Sequence, residues 1–213
     1  MQIKSLDQYS NPFDAVKEFE CMLQQYTGAP YAIVTDSCTH AIEIALRINL
    51  PKKTSFPCRT YLSVVMLMHK LNINYQFNEV NWFADKKYNF TSTHIWDCAR
   101  YFKKNMYEKN QVQCISFNRE KPLSIGKGGA ILTDDPILAE RANRMRYDGR
   151  DIFKYKNWID QEIFEPGFHY YLRPEECIVG MNLLSSQSLI SQTDSMFLKY
   201  PDCSTMKIVN DLS

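Results

Sequence analysis

The stretch Tyr31-Ala-Ile-Val-Thr-Asp-Ser-Cys-Thr-His-Ala-Ile-Glu-Ile-Ala-Leu46 decides the fold. Tyr31 to Thr35 form a short apolar run that reads as a buried strand. The chain turns at Asp36-Ser37-Cys38-Thr39 into a helix with Ala41, Ile42, Ala45 and Leu46 on one face. Upstream, Asn11 caps a helix with Pro12 in its first position, and Phe13, Val16, Phe19 and Leu23 recur at helical spacing. Gly28 and Pro30 end that helix. Downstream the pattern repeats. Residues 55–60 are extended, 61–71 helical and 74–77 a strand, whereas the polar and aromatic residues 78–93 show no period and read as loop. Strands at 94–96, 112–117 and 130–132 follow, then a helix over 136–147 with Arg and Glu on its outer face. Residues 151–172 are irregular. Pro174 opens a last helix, to about residue 185, and the chain from Ser186 looks poorly organised. Strands alternating with helices predict an α/β, three-layer sandwich with a mostly parallel central sheet.

Composition narrows the class. A chain of 213 residues, 45% hydrophobic and 23% charged, can bury one substantial core, which excludes a disordered or fibrous protein. A net charge of +1 gives no field that favours nucleic acid or acidic lipid. Arg141, Arg144, Arg146 and Arg150 form the one basic cluster, and they read as a solvated helix face. The seven cysteines are odd in number and include no CxxC pair, so a disulfide framework or a zinc ribbon is not expected. With no apolar leader and no run of about 18 apolar residues, the expectation is a cytoplasmic protein without a membrane span.

Four features can carry chemistry. The turn Asp36 to Thr39 opens a helix, where free N–H groups and a partial positive charge attract phosphate; Ser37 or Thr39 can equally serve as a plain cap. Asp97 ends an apolar strand, where a carboxylate can meet a protonated ring nitrogen or simply cap the next segment. Lys121 follows the strand ending near Ser116, and a partly desolvated lysine is a nucleophile for carbonyl carbon, although Arg119 and Lys127 lie close by. Gly126-Lys-Gly128-Gly129 holds three of the seven glycines, which suits a close backbone approach or a tight turn. Its spacing matches neither known nucleotide loop.

In this order the segments resemble the DegT/DnrJ/EryC1/StrS family of sugar aminotransferases. The resemblance rests on Thr27 through Thr39, on Pro57-Cys-Arg-Thr-Tyr61, on Trp96-Asp-Cys-Ala-Arg100, on Ser116 through Ala130 and on Gly167-Phe-His-Tyr-Tyr171. It runs from about residue 13 to about residue 185. It implies a fold-type I large domain over residues 1–185, with 186–213 a tail or remnant of a reduced C-terminal domain. It also implies pyridoxal 5′-phosphate as cofactor. Lys121 would hold the cofactor covalently and move protons at the substrate carbon. Asp97 would keep the pyridine nitrogen protonated, Tyr61 would stack on the ring, and Cys38, Thr39 and Ser116 would bind the phosphate. Arg100 and His169 complete the implied cofactor set, His169 by reaching the site of a neighbouring subunit in a homodimer. The implied reaction moves an amino group from an amino acid such as glutamate to a keto-sugar, nucleotide-linked, for amino-sugar or surface-polysaccharide biosynthesis. The alternative is a shortened homologue that binds cofactor or sugar nucleotide without turnover. The sequence departs from the family pattern at Arg100 (usually Gln or His), Cys38 (Gly), His169 (Asn) and Tyr171 (Arg). A strand–helix unit is missing around residues 78–93.

Overall fold

The computed structural model describes residues 3–154, 157–163, 165–192 and 200–211. Parts of the irregular 151–172 segment and of the tail after Ser186 therefore lie outside the described residues. The first helix, α1 (Phe13–Thr27), follows Asn11, whose side chain accepts the Phe13 N–H at 3.0 Å. It ends at Gly28, in the left-handed conformation (φ 80°) that glycine adopts without a Cβ penalty. Strand β1 (Tyr31–Thr35) leads into α2 (Cys38–Ile48); β2 (Lys53–Pro57), α3 (Leu62–Leu71) and β3 (Asn74–Asn78) form the next unit. Then come β4 (Tyr88–Asn89), β5 (Ile95–Asp97), β6 (Val112–Ser116), β7 (Gly129–Thr133), α4 (Pro136–Met145), α5 (Pro174–Ser185) and α6 (Lys207–Asp211).

Five strands form one sheet in the order β1-β7-β6-β5-β4. It is mixed: β5 and β6 pair in parallel, whereas β7 runs antiparallel to both β1 and β6, and β4 antiparallel to β5. The reversal of β7 follows from its connection. Residues 117–128 join it to β6 without a crossover helix, and a parallel return needs one. Strands β2 and β3 form a separate parallel pair. Residues 78–93, read as loop, contain β4, and Thr91 stitches the two sheets together. Its N–H donates to Ser55 O at 3.0 Å, and its Oγ1 accepts the Ser55 N–H at 2.7 Å.

Side chains alternate across the sheet with period two. Ile33, Cys114 and Ile131 face a core shared with α2, α3 and α4; Val34, Ile115 and Leu132 face a second core with α1 and α5. Five of the seven cysteines are buried, as small apolar residues are. One expectation fails. Arg146 is not on a solvated helix face but fully buried, in contact with Glu20 of α1, Val34 O at 2.8 Å and Asn143 Oδ1 at 2.6 Å. No helix of the described residues is long and apolar enough to cross a membrane.

The ends of β1, β5 and β6 come together at one edge. Thr35 and Ser116 both pair with Gly129, and Asp97 pairs with Cys114 two residues before Ser116. Ligands gather at such strand ends in α/β sheets.

Candidate active site

A cavity of about 280 Å³ opens at that edge. Cys38, Thr39, Tyr61, Asp97, Ser116 and Lys121 all line it, although their sequence positions span 38 to 121. Arg100 and His169 do not. Arg100 lies buried behind the cavity, and the exposed His169 ring sits outside it, 3.3 Å from Asp148 Oδ2.

Asp97 is the last residue of β5 and is 7% exposed. Its Oδ1 accepts the Ala99 N–H at 2.8 Å and its Oδ2 accepts the Tyr88 hydroxyl at 2.9 Å. Burial pushes the carboxyl above the usual carboxylate range, and the hydrogen bonds from Ala99 and Tyr88 and the charges of Lys121 and Arg100 pull it back. Tyr88 is buried too, and its hydroxyl lies 2.5 Å from Thr60 Oγ1. Burial and the neighbouring Asp97 hold that hydroxyl in its neutral, donating form.

Lys121 sits at the end of a turn in which its N–H donates to Asn118 O at 3.2 Å. The preceding residue, Glu120, has φ 63°, a left-handed conformation that is uncommon outside glycine. The Lys121 amine donates to the Tyr200 hydroxyl at 3.3 Å.

The helix N-terminus on the cavity wall is well fixed. Ser37 is the cap, and its Oγ accepts the His40 N–H at 3.1 Å. Thr39 Oγ1 pairs with Ser63 Oγ at 2.7 Å. Cys38 is buried, which pushes its thiol well above the ordinary range, so a thiolate is not what it offers. A Cβ on Gly129 would stand 2.4 Å from Cys38 N and 2.7 Å from Ile115 O. Only glycine lets β7 approach α2 this closely. From the other side, Asp36 N–H donates to Tyr170 O at 2.7 Å, and the Tyr170 ring stacks on His40 at 3.6 Å.

Tyr88 and Tyr200 are among the lining residues that escape sequence reading. Tyr88 belongs to a strand of two residues, too short for any period, and Tyr200 lies in the part of the sequence, from Ser186 on, that reads as poorly organised. The aromatic richness of 78–93 is the only cue to the first, and nothing marks the second.

The model of the DegT/DnrJ/EryC1/StrS aminotransferase family matches residues 2–81 and 97–199. This chain belongs to that family. The break between residues 81 and 97 in that match contains β4. Among curated relatives, the UDP-4-amino-4,6-dideoxy-N-acetyl-beta-L-altrosamine transaminase of Campylobacter jejuni serotype O:2 is 29% identical over 118 residues, covering 52% of this chain and 31% of the relative. AtS13 from Actinomadura melliaura superposes with a TM-score of 0.68 at 18% identity, over 82% of this chain and 60% of that one. Helicobacter pylori PseC, an aminotransferase involved in the biosynthesis of pseudoaminic acid, gives 0.63 at 15%, over 82% and 58%. NtdA from Bacillus subtilis, solved with its cofactor PMP, gives 0.69 at 18%, over 82% and 48%. These structural likenesses show the α/β fold of the family. The chain spans less than two thirds of the length of each of these relatives.

Enzymes of the DegT/DnrJ/EryC1/StrS family use pyridoxal phosphate. The residues present fit that group. One cavity joins a primary amine, a buried carboxyl and a helix N-terminus. Each Asp97 oxygen accepts one hydrogen bond from the protein, and a carboxylate oxygen has room for another. A ring N–H would supply the positive partner that burial alone withholds.

Proposed function

We propose that this chain is a pyridoxal-phosphate-dependent aminotransferase that moves an amino group from an amino acid, glutamate, to a nucleotide-linked keto-sugar. The observation that carries the reading is the convergence of Lys121, Asp97 and the α2 N-terminus on one cavity. The cofactor, when bound, supplies an aldehyde that carries the amino group and a ring that accepts electrons. The protein's part is position and proton control. Asp97 would hold the ring nitrogen in its protonated form. The α2 N-terminus, with Cys38, Thr39 and Ser116, holds the phosphate. Tyr61, which lines the cavity and is more than half exposed, would cover one ring face. Lys121 would hold the cofactor covalently and would carry protons at the substrate carbon.

The UDP-sugar names of the curated relatives, and the solved structure of DesI in the presence of its TDP-sugar product, support a sugar nucleotide as acceptor. In this reading residues 1–185 are the cofactor-binding unit and 186–213 the remnant of a smaller domain. The protein is a cytoplasmic homodimer in which His169 serves the partner's site. A second reading, binding without turnover, is favoured by Tyr200, which stands on the Lys121 amine inside a cavity of only about 280 Å³. Formation of 2-oxoglutarate from glutamate in the presence of a UDP-linked keto-sugar separates the two. Turnover supports the first reading. A protein that binds the cofactor and never transfers the amino group leaves the second.

A further inference from the structure

Arg100 is buried and is not among the residues that line the cavity. Its contacts point elsewhere. Its Nε donates to the Tyr200 hydroxyl at 3.1 Å, and its guanidinium carbon lies 5.3 Å from the Tyr200 ring centre. One of its terminal nitrogens donates to Gln192 Oε1 at 2.7 Å and to Glu120 O at 3.3 Å. Gln192 Nε2 donates to the same Glu120 carbonyl at 2.9 Å. Glu120 is the residue in the left-handed conformation, immediately before Lys121. A backbone held there persists where its surroundings over-determine it.

Tyr200 is itself anchored. It is 8% exposed, its ring packs edge-on against Trp82 at 5.6 Å, and its carbonyl accepts from Arg59 at 3.2 Å. Three residues on, Cys203 N–H donates to Cys58 O at 2.9 Å. The Tyr200 oxygen therefore has a fixed place, and the Lys121 amine donates to it at 3.3 Å.

We propose that Tyr200 is a positioning residue of the site: held by Arg100, its hydroxyl sets where the Lys121 amine points, while Arg100 and Gln192 together fix the backbone that carries Lys121. The inference rests on the reading of Lys121 as the reacting amine. A lysine stem has many rotamers, and a reaction at its tip gains rate when the tip is aimed. The same network uses the several donors of one guanidinium, which reaches both the Tyr200 hydroxyl and Glu120 O.

The test compares the full-length wild type with Tyr200→Phe and Arg100→Gln, each checked for folding by circular dichroism. In the cofactor-free proteins, lysines are labelled with acetic anhydride across a pH series and counted by mass spectrometry. Labelling at Lys121 relative to the exposed Lys52 is expected to change about threefold or more in either variant, with a displaced pH profile. On addition of pyridoxal phosphate, covalent attachment at Lys121 is expected to slow about tenfold. If Tyr200→Phe does not fold, Arg100→Gln carries the test. Labelling profiles that superimpose on the wild type, with unchanged attachment rates, overturn the proposal. A wild type that never attaches the cofactor sinks the proposed function instead, and the labelling result still decides the role of Tyr200.

Discussion

Asp97 is a buried carboxyl with two protein donors, and that combination gives a testable sign. Burial holds its folded-state pKa above the unfolded value of about 3.9. The folded protein therefore keeps this proton longer than the unfolded chain does. The stability of the cofactor-free protein falls as pH rises from the unfolded value through the raised one, and stays reduced above it. Asp97→Asn removes the charge, and its amide can still accept from Ala99 and meet the Tyr88 hydroxyl. Urea unfolding should show Asp97→Asn about 1 kcal/mol more stable than the wild type at about pH 8, with the gap closing near pH 4. The same substitution should weaken pyridoxal phosphate binding about tenfold or more, read by titration. A wild type equally stable at both pH values, relative to the variant, would contradict this picture of the carboxyl. Asp97 was legible in the sequence because it ends an apolar strand. Its partner Tyr88 was not, because cross-strand pairing through a two-residue strand leaves no pattern to read.

At the scale of elements, the site depends on how closely β7 meets the start of α2. Gly129→Ala places a methyl 2.4 Å from Cys38 N, a backbone atom that cannot swing away. The variant should lose about 1–3 kcal/mol of unfolding free energy, as overpacking typically costs. Its affinity for pyridoxal phosphate should fall about tenfold, because the helix N-terminus must shift. Chemical unfolding and absorption titration check the two effects together. A variant that binds the cofactor like the wild type would show that the close approach does not set the phosphate end. The strand–turn–helix at Tyr31 to Leu46 and the glycines before Ala130 stood out in the sequence, since hydrophobic period, a capping serine and clustered glycines are local signals. The mixed direction of the sheet was less legible, because strand direction depends on how residues 117–128 connect, not on the strands themselves. Arg100 was visible in the sequence, but what its side chain bonds comes from 20, 92 and 100 residues further along the chain.

At the scale of the whole molecule, the two cores are tied by a charge pair that composition could not locate. Arg146, at the end of α4, is fully buried and contacts Glu20 of α1, with Val34 of β1 bonded to both. Arg146→Met would leave Glu20 buried without its cation, and should cost about 3–5 kcal/mol in urea unfolding. Replacing Glu20 with Leu in the same chain should recover most of that loss, since a buried pair adds little over well-packed apolar residues. A single variant within about 0.5 kcal/mol of the wild type would contradict the bridging role. The pair bonds the backbone of β1 at Val34, one residue before the strand's end.

The central claim is that Lys121 is the amine that holds the cofactor. The most direct measurement mixes the protein with pyridoxal phosphate, reduces with borohydride, digests, and locates the pyridoxyl group by mass spectrometry. The label is expected on Lys121, with a visible absorption band before reduction that Lys121→Ala abolishes. A label on Lys127 or another lysine, a band that survives Lys121→Ala, or no adduct at all would contradict it.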